Sequence, residues 1–109
     1  IACGVLERCP LLRVRFFEAG CSWVPNWLAR FDEHCHHPKL GPYLGGMTMK
    51  SSEYFDRQCS VTCDPGDHTI PLAIQCLGSH KIMFSTDYPH FDSSSSVARD
   101  FLPPPQRDQ

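Results

Sequence analysis

The chain is expected to be an α/β domain built around a parallel sheet. Three observations lead there. Strand-like and helix-like segments alternate as strand, helix, strand, helix, strand. The connections between successive strands are long enough for the crossovers that parallel pairing requires. Counted with glycine and without tyrosine, apolar residues make up about 45% of the 109 positions, in the range of globular domains.

Cys3 to Pro10 reads as the end of a helix, stopped by Pro10. Leu11 to Phe17 reads as the first strand, with Leu12, Val14 and Phe16 on one face and Arg13 and Arg15 on the other. Glu18-Ala19-Gly20 is a turn, and Ser22 is a plausible N-cap, with Pro25 tolerated in the first helical turn. Val24, Trp27, Leu28, Phe31 and Cys35 then recur at helical spacing, while Asn26, Arg30 and Glu33 face away. This is the best-defined helix in the chain.

Residues 38–50 carry three glycines and two prolines and are expected to form a loop excursion. Ser52-Glu53-Tyr54-Phe55 opens a short helix. Cys59 to Cys63 alternates as the second strand and stops at Asp64-Pro65-Gly66. A further helix is expected from Asp67 or Thr69, with Pro71 in its first turn, burying Ile70, Ala73, Ile74 and Leu77. Gly78 is its expected left-handed terminus. Lys81 to Ser85 is the third strand, leading into Thr86-Asp87-Tyr88-Pro89-His90. Residues 1–92 are thus expected to form the folded domain. From Ser93 the composition turns to serine and proline without a periodic apolar face, and residues 93–109 are expected to be disordered.

The charge balance narrows the function. With 10 Lys plus Arg against 12 Asp plus Glu, the net charge is -2, without the basic excess of a nucleic-acid binder. No apolar run approaches the roughly 20 residues of a membrane span. The seven cysteines are odd in number and follow no basic-then-apolar leader. Cys21, Cys35, Cys63 and Cys76 lie in apolar periodic stretches, where a free thiol packs as a small hydrophobe. A reduced, cytoplasmic protein is therefore expected. The missing initial methionine and abrupt start lead us to expect a piece of something longer.

Chemistry is concentrated at Asp87. Strand C-termini are where parallel α/β folds gather ligands and catalytic groups, and an aspartate there can ligate a divalent metal or accept a proton. The plainer alternative is an aspartate that caps its own turn. The segments R-F-F-E-A-G-C-S-W-V-P-N-W-L-A-R-F-D-E-H, S-S-E-Y-F-D-R-Q and I-M-F-S-T-D-Y-P-H, in that order, resemble the amidohydrolase-related family over residues 4–92. Its members are metal-dependent (β/α)8 TIM-barrel enzymes and include aminocarboxymuconate-semialdehyde and dihydroxybenzoate decarboxylases.

The resemblance implies a C-terminal part of that barrel, about three βα units, with the closing helix replaced by the tail. It implies that Asp87 is the metal-binding and catalytic aspartate after the last barrel strand. His90, in the loop behind it, is then a substrate-binding residue. The family's His-x-His pair is absent, and Cys35-His36-His37 imitates it only at a helix end. Many family decarboxylases carry a histidine where this chain has Glu18. Glu18 is thus a candidate acid/base if burial raises its pKa, or else a structural anchor for Arg30 or the following helix. Trp23 matches the family's E-A-G-x-x-W pattern, as a substrate contact or as packing. Arg30 and Asp32 match an R-x-D spacing, but residues two apart on a helix do not face each other.

The function implied is that of a metal-dependent hydrolase or carboxy-lyase acting on a small carboxylated or cyclic organic substrate. Zinc or manganese would be held in the complete enzyme and by no site of this piece alone. The competing expectation is a non-catalytic remnant or interaction module, associating through exposed strand edges. A Cys/His zinc module from Cys59, Cys63, His36, His37 and His68 is a third. It is opposed by the ~13 Å between Cys59 and Cys63 on a strand rising ~3.3 Å per residue.

Overall fold

The computed structural model describes residues 1, 3–35, 37–40, 46–64 and 66–91. A short helix α1 (Val5–Arg8) precedes strand β1 (Val14–Phe16) and the long helix α2 (Trp23–Cys35). Helix α3 (Ser51–Gln58) runs directly into strand β2 (Cys59–Cys63). Helix α4 (Ile70–Leu77) and one 3₁₀ turn (Ser79–Lys81) lead into strand β3 (Ile82–Phe84). The order is β1-β2-β3 and both pairings are parallel, with Val14 opposite Cys59 and Val61 opposite Ile82. The expected α/β class with a parallel sheet is what forms. The expectations for residues 93–109, for His36 and for residues 41–45 of the 38–50 loop fall outside the described residues.

All five residues of β2 are buried, so the central strand is covered on both faces. Cys59, Val61 and Cys63 point into the core with Val24, Leu28, Tyr54, Phe55, Ile70 and Ala73. Ser60 and Thr62 alternate to the other face.

Four expectations are corrected by this packing. The first strand is shorter than its apolar run: Leu11, Leu12 and Phe17 lie outside β1 and are exposed, because no further strand flanks that edge among the described residues. Trp27 is 53% exposed, although its spacing placed it with the core. Helix α2 buries the narrower stripe of Val24 and Leu28, and Trp27 tilts against Phe31 with ring centroids 5.3 Å apart. Ile74 and Cys76 are exposed, since α4 buries only Ile70 and Ala73 deeply. Gly78 has φ 86° and ψ 142°, a positive φ outside the left-handed helical region, and a side chain there would collide with the His80 ring.

Polar ties join the helices. The Asp32 carboxylate of α2 accepts from the backbone N–H of Ser52 (2.9 Å) and from its hydroxyl (2.5 Å), satisfying a first-turn donor of α3. Buried Gln58 donates to the carbonyls of Cys9 (2.8 Å) and Leu12 (3.0 Å). Buried Tyr54 donates its hydroxyl to the Glu7 carboxylate and accepts from the N–H of Thr48 (3.0 Å) and Met49 (3.3 Å).

The Tyr54 hydroxyl, helped by Thr48, holds the Glu7 carboxyl below its usual range. A lowered folded-state pKa stabilises the fold at pH above the unfolded value of about 4.3. That contribution is lost as pH falls through the folded pKa. Tyr54→Phe is therefore expected to lower the urea midpoint at pH 7, through loss of the bond to Glu7 and of the acceptor for the Thr48 and Met49 N–H groups. The gap from wild type should narrow below pH 4. Urea unfolding of both proteins at pH 7 and 3.5 checks this; a gap independent of pH would remove Glu7 from the account.

Candidate functional site

All three strands point the same way, so their C-terminal ends lie along one rim. A cavity of about 310 Å³ opens there, lined by Glu18, Thr62, Asp64, Ser85, Thr86, Asp87 and His90. The first wall follows β1. The Glu18 backbone N–H donates to the Thr62 hydroxyl at 3.2 Å, and that hydroxyl donates to the Phe16 carbonyl at 3.3 Å. The central strand thereby pins the loop carrying Glu18.

Gly20 completes the turn at φ 59°, and a Cβ there would lie 3.4 Å from a carboxylate oxygen of Asp64. The Trp23 indole N–H donates to the Gly20 carbonyl at 2.8 Å, and its ring meets Phe16 edge-on at 5.7 Å. Trp23 is thus spent on packing and does not line the cavity.

The opposite wall follows β3. Asp87 accepts the His90 backbone N–H at 2.8 Å, and its carboxylate lies 3.8 Å from His90 Nδ1. Glu18 and Asp87 both have positive φ, 54° and 53°. Each such residue costs of order 1–3 kcal/mol in backbone strain, which clusters at functional sites. Glu18 is exposed, so the burial that its acid/base role depended on is not supplied by this chain. Nor does it anchor Arg30, which pairs with Glu33 at 3.6 Å on the outer surface of α2.

Glu18, Asp87 and His90 are therefore brought together, while Trp23 stands apart. Asp64 and Thr62 complete the lining and were missed. Asp64 was legible in principle, because it is the first residue after β2, the same placement that singled out Asp87 after its strand. Its setting in Asp-Pro-Gly disguised it as turn chemistry.

A divalent metal was implied by the family resemblance, and the donor set is tested by proximity. Among the described residues, no group of three or more His, Cys, Asp or Glu side chains could hold a metal ion. The carboxylates face one cavity without converging, and these residues do not make a complete centre. The zinc module fares no better: Cys59 and Cys63 sit buried at opposite ends of β2, and His68 is exposed.

A thiol nucleophile is also disfavoured. Burial pushes the Cys59 and Cys63 thiols up, and burial reinforced by Asp67 pushes Cys21 up to about 11. In native protein at pH 8, Ellman's reagent is expected to modify exposed Cys3, Cys9 and Cys76 rapidly. Half-buried Cys35 should follow more slowly, and Cys21, Cys59 and Cys63 only on unfolding. Equal rates for all seven thiols would contradict the packing described above.

The parallel sheet with a polar cavity at its strand C-termini defines the class, an α/β domain with the site geometry of parallel-sheet enzymes. A family model described as Amidohydrolase matches residues 1–104, and the chain belongs to the amidohydrolase family. No curated protein matches the chain. The resemblance read from the three motifs is borne out at the level of the family. Among the described residues, no helix is long and apolar enough to cross a membrane.

Proposed function

We propose that this chain supplies three units of a (β/α)8 barrel of the amidohydrolase family, the two following the sixth and seventh strands and the eighth strand itself. The assembled enzyme is a hydrolase or carboxy-lyase acting on a small carboxylated or cyclic organic substrate. The observation that carries the reading is Asp87: in a chain of this family it follows the last strand and shares one cavity with Glu18 and His90. Asp87 serves as metal ligand and proton acceptor, Glu18 as a second proton-transfer group, and His90 as a substrate contact. Trp23 holds the Glu18 loop in place. Carboxylate in place of the family's imidazole after the sixth strand favours the hydrolase side.

Zinc or manganese suits carboxylate and imidazole donors. A complete barrel must add the donors that these residues lack. The test has two arms. The 109-residue chain, loaded with zinc or manganese and desalted, is expected to retain no stoichiometric metal by elemental analysis. A barrel assembled from this chain and the missing units is expected to retain it and to lose it on Asp87→Asn. Tight retention of one metal by the isolated chain would overturn the reading and restore the Cys/His module.

A second reading, the interaction module, is favoured by one observation. Among the described residues, β1 and β3 each pair on one side only, leaving two open edges. Concentration-dependent association on size-exclusion chromatography is expected under both readings. A monomer with a cooperative melt at every concentration would show the piece to be self-sufficient.

A further inference from the structure

The turn that follows β1 uses the left-handed backbone twice. Gly20, at φ 59°, takes it freely, since a residue without a Cβ meets no clash there. Glu18, at φ 54°, does not, because its side chain makes the same conformation costly. A glycine at position 18 would remove the cost, so the chain keeps a carboxylate there against its own backbone preference. Some neighbour must hold it.

That neighbour is Thr62. The pairing of β1 with β2 ends at Phe16 opposite Val61, one residue short of Thr62. Beyond that point the Thr62 hydroxyl takes over from the backbone ladder. It accepts the Glu18 N–H at 3.2 Å and donates to the Phe16 carbonyl at 3.3 Å. The position needs one atom that both accepts and donates, which a hydroxyl supplies. Thr62 is 1% exposed, so water is poorly placed to replace it. Valine keeps the shape and the β-branch but neither bond, whereas serine keeps both bonds.

We propose that Thr62 is a positioning residue. Its hydroxyl holds Glu18 in the left-handed conformation, which keeps the Glu18 carboxylate in the cavity shared with Asp64, Asp87 and His90. Without the hydroxyl, Glu18 relaxes to negative φ and its Cα–Cβ bond turns away from the cavity. Asp87 provides a control. It is left-handed too, at φ 53°, but its turn is closed by its own carbonyl, which accepts the His90 N–H at 2.8 Å. The consequence for turnover rests on the proton-transfer role proposed above for Glu18; the hold on its backbone does not.

The first arm of the test needs no activity and uses the 109-residue chain. A left-handed residue brings its own amide and α protons close, which gives a strong Overhauser contact within the residue. Wild type is expected to show that contact at Glu18 and Asp87, and slow hydrogen exchange at the Glu18 amide. Thr62→Ser should keep all three. Thr62→Val and Thr62→Ala should lose the contact and the protection at Glu18 and keep the contact at Asp87. An unchanged Glu18 contact in Thr62→Val would overturn the proposal. So would rapid exchange of the Glu18 amide in wild type or in Thr62→Ser, a reading that needs no disruptive variant.

The second arm measures turnover and bound metal of the assembled barrel. Thr62→Val is expected to keep the metal and lose turnover towards the level of Glu18→Gln, about 10²–10⁴-fold, with Thr62→Ser close to wild type. Placed on Glu18→Gln, Thr62→Val should add no further loss, because it acts through a group already removed. Equal losses on both backgrounds would overturn the positioning role. Glu18→Gln with wild-type turnover would instead overturn the proton-transfer role of Glu18, and the first arm would still decide on Thr62.

Discussion

Asp87→Asn is expected to lower turnover of the assembled barrel by about 10²–10⁴-fold, the usual loss for a general acid or base. The substitution isolates chemistry from folding. Asp87 sits at φ 53°, and asparagine is among the few residues that tolerate this region. Shape, backbone and one coordinating oxygen are kept; negative charge and basicity are lost. His90→Ala removes the imidazole 3.8 Å from the Asp87 carboxylate and should have a smaller effect. Glu33→Gln, an exposed change on the outer surface of α2, should leave turnover within a few-fold. Turnover and bound metal for the three variants are measured at one metal concentration. If Asp87→Asn keeps wild-type turnover, Asp87 only shapes its turn, and the functional reading of the site fails with it.

Much of the fold was legible because local signals agreed. Cys59 to Cys63 is bounded by a helical segment on one side and Asp-Pro-Gly on the other, and β2 has those limits. Pro71 and Gly78 marked the two ends of α4, Pro71 in the first turn as expected and Gly78 through a positive φ outside the left-handed helical region that was expected of it. Periodicity failed where a neighbour decides the outcome. Trp27 lies at helical spacing with Val24 and Leu28, but spacing names a face and not the element that covers it. The short helical segment carried no signal of which face is buried, yet Tyr54 and Gln58 both lie in the interior. Their partners are remote: Gln58 donates to a carbonyl 49 residues upstream. Pairings of that range leave no periodic trace. The site divided in the same way. Asp87 could be found from strand order and motif, whereas the meeting of Glu18, Asp64 and Asp87 in one cavity depends on the parallel register.

Phe55→Ala is expected to be the most damaging single change in the described core. Its ring is 2% exposed and stacks on Phe16 at 6.3 Å, linking α3 to β1. Phe→Ala truncations in cores cost about 3–5 kcal/mol, the value depending on how far the surroundings collapse. Here the missing ring would not leave a sealed void. Phe55 also lines an open groove of about 350 Å³ shared by Leu28 of α2 and Leu77 of α4, so the vacated space would join solvent. Water can then fill it, and the expected cost lies near 3 kcal/mol rather than 5. Small domains have only about 5–15 kcal/mol in total, and a sheet with two open edges belongs at the low end of that range. Phe16→Ala removes the other half of the stacked pair from a half-buried edge strand and should cost less. Urea midpoints for the two variants and the wild type give the comparison. If Phe16→Ala proves the more damaging, the stability of this piece rests on the edge strand, and the core has been placed one layer too far from β1.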